Sequence, residues 1–149
     1  MSPRLSVHDV DHAANEAVLA LERYVRASDL EGTLLELIKI RASQLNGCAF
    51  CLDMHNRDAR AAGEDQRRLD VVSAWREAPQ LYSARERAAL ALTEAVTLIS
   101  RDGVPDDVWA ETQAHFADLE TVQLLMAISA INVWNRLAVS THQALPDQA

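Results

Sequence analysis

The chain has 149 residues, 49% of them hydrophobic, and its four glycines and four prolines leave little room for disorder or long loops. Fourteen basic against 22 acidic residues give a net charge of −8, which argues against a nucleic-acid-binding surface and against attraction to anionic membranes. The length suits a single domain, residues 1–149, with enough chain to bury a core without disulfide staples.

Strand signals are missing, and the apolar spacing predicts an all-α, compact bundle of about seven helices. The start, Met1-Ser2-Pro3-Arg4-Leu5, lacks the apolar core of a secretion signal, so the cytoplasm is the expected compartment. The first helix is expected over about Ala13–Ala27, with Val18, Leu21, Tyr24 and Val25 on its apolar face. The second is expected over about Glu31–Leu45, with Leu34, Leu37, Ile38 and Leu45 inward and Lys39 and Arg41 outward. The third runs from Cys48 to Ala62, with Gly63 as the residue that ends it. A short fourth helix covers about Asp65–Ala74 and stops before Pro79. Ser83 and Glu86 form a capping box that opens the fifth, which runs through Leu90, Leu92, Ala95 and Ile99 towards Gly103. Pro105 is a favoured first-turn residue for the sixth, which ends near Phe116. The seventh, about Leu119–Ser140, is apolar almost all round and belongs in a core or against another subunit. Gln123, Asn132, Asn135 and Arg136 interrupt it and argue against a simple membrane span.

The only two cysteines, Cys48 and Cys51, are three apart, and His55 follows four residues later. On a helix these positions share one face. Asn46-Gly47, just before them, lets the backbone leave one helix and enter the next. If the two helices fold back antiparallel, Glu36 arrives within a turn of His55. Such a set suits thiol chemistry. A thiol is a poor nucleophile until deprotonated, and a helix N-terminus favours the thiolate. An imidazole can take the proton, and a carboxylate can orient the imidazole. A thiolate oxidised by peroxide becomes a sulfenic acid, which the second thiol converts to a disulfide.

The spacing Glu36-x11-Cys48-x2-Cys51-x3-His55 resembles the signature of the AhpD-like alkylhydroperoxidases of the carboxymuconolactone decarboxylase superfamily. The segments Trp75–Ala78, Arg87–Thr97 and Ile131–Leu137 also resemble that family, so the likeness spans roughly residues 30–140. The resemblance implies an all-α fold, a homo-trimer or homo-hexamer, and thiol-dependent reduction of organic or hydrogen peroxides. It implies a proton relay from Glu36 through His55 to Cys51, with Cys51 attacking the peroxide and Cys48 resolving. A dithiol, thioredoxin-type or lipoyl-type reductant would then reset the pair, and no cofactor or metal is implied. The helix dipole points the other way and makes Cys48 the more acidic thiol. Phe50 stands where the better-known AhpD enzymes carry a histidine, a departure that weakens the expected relay.

Other readings compete. A non-peroxidatic member of the superfamily, such as a decarboxylase, a lactone-type enzyme or a redox-sensing protein, would use acid–base groups or binding alone; the paired cysteines argue against the decarboxylases. Zinc held by Cys48, Cys51 and His55, with Glu36 or water fourth, lacks the second cysteine pair usual in structural sites. Two inert buried thiols are the plainest alternative. Glu94 is either an acid near the site or a partner of Arg87 or Arg136. His8, His12, His115 and His142 read as surface residues, and Trp75, Trp109 and Trp134 as core or interface. Arg57, Arg60, Arg67 and Arg68 read as a solvated face. Asn135 and Arg136 read as subunit contacts or caps.

Overall fold

The computed structural model describes residues 2–145, and among them it contains helices and no strands. α1 (Val7–Val10) is a single turn capped by Ser6, which the apolar pattern did not anticipate. α2 (His12–Arg26) follows from Asp11, whose carboxylate caps it. α3 (Gly32–Asn46) and α4 (Ala49–Ala61) come next, then α5 (Gln66–Val71) and 3₁₀ turns at Val72–Glu77 and Pro79–Leu81. α6 (Ala84–Thr97), α7 (Ile99–Asp102), α8 (Asp106–His115) and α9 (Asp118–Thr141) complete the described chain. The fold is the expected all-α bundle, with nine α-helices among the described residues where about seven were expected. The two extra ones are single turns, α1 and α7. α7 arises where the expected fifth helix breaks at Leu98 (φ −104°, ψ 32°).

α9 is the axis of the bundle and packs against α2, α3, α4, α6 and α8. α3 crosses it and also packs against α4 and α6. α3 is apolar on more than one side because it serves three cores. Leu34 and Ile38 join Val25, Leu92, Leu124 and Ile128 in the first. Leu37 and Ile40 join Leu69, Val72, Trp75 and Leu90 in the second. Ala42 joins Cys48, Cys51, Ile131 and Ala138 in the third. Each of these large aliphatic side chains contributes about 1.5–3 kcal/mol on burial. By length and composition α9 meets the requirement for crossing a membrane, although the sequence argued otherwise; here it is the core helix, half buried by its neighbours.

Several assignments, inward and outward, do not hold. Tyr24 is exposed, whereas Glu22 takes a buried place beside Val18 and Val25. Lys39 is buried at 4% exposure because Glu22 of α2 lies 2.6 Å from its Nζ. Arg41 turns inward to Glu94 at 2.8 Å. Arg68 leaves the arginine face: it pairs with Glu86 at 2.5 Å, donates to the Leu81 carbonyl and lies over the Tyr82 ring. Pro105 is the residue before α8 rather than its first turn. Glu94 accepts from Arg41, Trp75 and Arg76, not from Arg87 or Arg136. Trp75 is buried, as expected of a core residue, and Trp109 is exposed. The capping box of Ser83 and Glu86 forms as the sequence predicts.

Candidate active site

The joint between α3 and α4 is a single left-handed residue. Gly47 has φ 65° and ψ 35°, a conformation that costs glycine little. Its amide donates to the Gln44 carbonyl and the Cys48 amide donates to the Ser43 carbonyl at 3.0 Å, which closes α3. Cys48 then adopts an extended backbone and caps α4, its Sγ accepting from the Cys51 amide at 3.4 Å. The same residue ends one helix and begins the next.

The reversal brings Glu36 to His55. Oε2 of Glu36 lies 2.9 Å from Nδ1 of His55. In an unbroken helix these residues would stand about 28 Å apart. An ionised carboxylate only accepts, so Nδ1 carries the hydrogen and Nε2 is left as the basic nitrogen. His55 is 6% exposed. Behind Glu36 the charge row continues: Lys39 Nζ is 3.9 Å from Glu36 Oε1 and 2.6 Å from Glu22 Oε1. Burial alone would raise Glu22, but Lys39 and Arg26 outweigh it and lower its pKa. A carboxylate on the apolar face of α2 was the available sign that a cation would meet it.

Both thiols are reduced and buried, Cys48 at 1% and Cys51 at 2% exposure. Asn135 of α9 is fully buried between Ile131 and Ala138, which share a cluster with both cysteines, and its side chain acts to lower the pKa of both thiols. Its Nδ2 donates to Ser43 Oγ at 3.0 Å, and its Oδ1 accepts from Asn46 Nδ2 at 2.9 Å. Ser43 likewise acts to lower the Cys51 pKa. Asn46 also donates to Asn132, which donates to Thr97 and accepts from Arg136. The sequence reading gave Asn135 and Ser43 no part in the site. The clue was Asn132 and Asn135, two amides one turn apart in an otherwise apolar helix.

The two thiols titrate as a pair, with Cys48 the more acidic. The Cys51 thiol hydrogen-bonded to it is the main cause; burial opposes, while the Cys51 amide, Asn135 and His55 add to it. Together they bring the Cys48 pKa down to about 6. The Cys51 pKa is raised, first by the hydrogen bond to Cys48 and then by burial and by the Cys48 charge. The direction is the one the dipole argument expected, but its first cause is the Cys51 thiol rather than the helix dipole.

Among the described residues, the possible metal donors that converge within 4.8 Å are Glu36, His55 and Asp58, with neither thiol among them. This differs from the Cys48, Cys51 and His55 set considered for zinc. His8 and His115 pair with Asp9 and Glu111 at the surface, away from the thiols.

The carboxymuconolactone decarboxylase family model matches residues 12–95. An uncharacterised protein of Bacillus subtilis, YdfG, is 41% identical over 140 residues, which is 94% of this chain and 95% of that one. Among solved structures, ATU0492 of Agrobacterium tumefaciens is 44% identical with a TM-score of 0.95, covering 99% of this chain and 100% of that one. ATU0492 is a protein of unknown function for which the role of antioxidant defence protein AhpD has been suggested. The debrominase Bmp8 shares the fold at 17% identity and a TM-score of 0.78, covering 88% of this chain and 70% of that one.

Proposed function

This chain belongs to the carboxymuconolactone decarboxylase family, and we propose that it is a thiol-dependent peroxidase. It reduces organic or hydrogen peroxides through a Cys48–Cys51 dithiol/disulfide cycle, with Glu36 and His55 as the proton relay. The observation that carries this reading is the 2.9 Å contact between Glu36 and His55 on the helix that carries both thiols.

In the resting pair Cys48 is the thiolate and Cys51 the thiol that donates to it. Cys51 becomes the nucleophile when its proton passes to Cys48. The Cys51 thiolate attacks the outer oxygen of ROOH and the O–O bond breaks. His55 Nε2, which took the proton that Cys48 released in forming the resting thiolate, gives it to RO⁻, which leaves as ROH, and Cys51 becomes a sulfenic acid. His55, held by Glu36, accepts the Cys48 proton. The Cys48 thiolate then attacks the Cys51 sulfur and expels the oxygen, which takes that proton from His55 and leaves as water. Two thiols and one peroxide thus give a disulfide, an alcohol and water. An external dithiol, thioredoxin-type or lipoyl-type, returns the pair to the reduced state. A pair that must be reset requires a reducing compartment, which favours the cytoplasm.

Peroxide consumption with a dithiol donor tests this in wild type, Cys48→Ser and Cys51→Ser. Both substitutions are expected to abolish turnover, and after one equivalent of peroxide only Cys48→Ser should hold a trapped sulfenic acid. Unchanged turnover in both variants would end the proposal. A sulfenic acid trapped only in Cys51→Ser would reverse the two thiol roles.

A further inference from the structure

Both sulfurs are buried, so a peroxide needs a way in. An open groove of about 270 Å³ is lined by Asn46, Asn135, Arg136, Val139 and Ser140. Asn135 lines it and leads to the thiols: it donates to Ser43, whose carbonyl accepts from the Cys48 amide, and Ile131 and Ala138 on either side of it pack with both cysteines. A second cavity, of about 230 Å³, is lined by Glu31, Thr33, Leu34, Ser83, Arg85 and Glu86. It holds no thiol neighbour, and its arginine is already paired with Glu31 and Glu120.

The groove has a chemical polarity. Its inner end offers the amides of Asn46 and Asn135. Val139, 43% exposed, supplies an apolar wall. Arg136 is exposed at its side. One guanidinium nitrogen, Nη1, is held by the Asn132 carbonyl and side chain, and Nε and Nη2 have no partner among the described residues. A second cation, Arg4, does not line the groove but is bonded to Ser140, which does. The Arg4 amide donates to the Thr141 carbonyl at 2.8 Å and its Nη1 to the Ser140 carbonyl at 3.0 Å, so the N-terminal segment is tied across the end of α9. Among the described residues neither arginine has a carboxylate within 4.0 Å, and no carboxylate lines the groove. One arginine in the groove and a second beside it, neither paired with a carboxylate among the described residues, stand out in a chain with a net charge of −8.

We propose that this groove admits the oxidising substrate and selects organic hydroperoxides that carry a carboxylate, with the alkyl part along Val139 and the carboxylate at Arg136 and Arg4. The hydroperoxide end then points to Asn135 and the thiols. This assignment of substrate class rests on the peroxidase reading for its chemistry; the anion site itself does not.

The test separates the two. The reduced full chain is alkylated with iodoacetamide, which is neutral, in the presence of octanoate or of octanamide. Octanoate is expected to slow modification of Cys48 saturably, and octanamide to do so about fivefold more weakly, the scale of an exposed ion pair. Arg136→Gln should remove most of this preference, the double variant with Arg4→Gln the rest, and Arg136→Lys should keep most of it. Equal protection by the two ligands, protection by neither, or a preference that survives the double variant would overturn the proposal. In turnover, a carboxylate-bearing hydroperoxide should exceed its methyl ester in kcat/KM by a similar factor, and that ratio should fall in the double variant. Should neither hydroperoxide be consumed, the peroxidase reading fails, and the protection result still decides the groove.

Discussion

A thiol of ordinary pKa is mostly protonated at neutral pH and reacts slowly. Cys48 escapes this because its sulfur faces donors: the Cys51 thiol, the Cys51 amide and Asn135. Alkylation of Cys48 in reduced protein is expected to reach half its maximal rate at a pH of about 6. A midpoint at about 8.5, where a free thiol titrates, would show that the donors do not hold the charge there. Lys39 makes a second point at this scale. It is held in the interior by Glu22 at 2.6 Å and stands 3.9 Å from the relay carboxylate Glu36. Lys39→Met leaves the buried Glu22 with only the exposed Arg26, 3.5 Å away, and should destabilise the protein by about 3 kcal/mol in chemical denaturation. Adding Glu22→Leu should recover most of that loss, because an apolar pair needs no compensation. A Lys39→Met protein as stable as wild type would show that the pair contributes nothing.

Elements join through single side chains here, and Glu94 is the clearest case. From α6 it accepts from Arg41 on α3 and from Trp75 and Arg76 in the 3₁₀ turn. Burial alone would raise its pKa, but these three donors outweigh it and lower the value in the folded state. A carboxylate with a depressed folded pKa contributes stability that is fully present above its unfolded value and is lost as pH falls through the folded one. Stability should therefore decline on acidification below about pH 4.5, the unfolded value. Glu94→Gln should cost about 2 kcal/mol at neutral pH and flatten that decline, as thermal melting across pH would show. The helices themselves were legible in the sequence. Periodicity marks α2, α3, α4 and α9 to within a residue or two, and Asn46-Gly47 marks the reversal that unites Glu36 with His55. Periodicity describes one helix at a time, however. It does not say which helix lies across from a face, so Lys39 and Arg41 were assigned to solvent until Glu22 and Glu94 met them. Asn135 was missed for the same reason: its partners lie some 90 residues away on α3.

At the scale of the molecule, α9 finds most of its cover within the chain, yet its N-terminal end leaves Leu119 58% and Val122 50% exposed, one turn apart. We propose that this end is buried between subunits in a trimer or hexamer. Sedimentation equilibrium should give three or six times the chain mass, and a monomer at micromolar concentration would refute it. The bundle also ties its redox state to its folding energy through one atom. The Cys48 sulfur is the cap of α4, and it caps best when charged. A disulfide to Cys51 removes that charge and takes an acceptor from the first turn, on the order of 1 kcal/mol of helix stability. The oxidised chain is in this respect held a little above its ground state, so anything that tightens α4 also pulls the pair towards the dithiol. The bundle thereby supplies part of the driving force for its own reset, and about 1 kcal/mol corresponds to a reduction potential some 20 mV less negative.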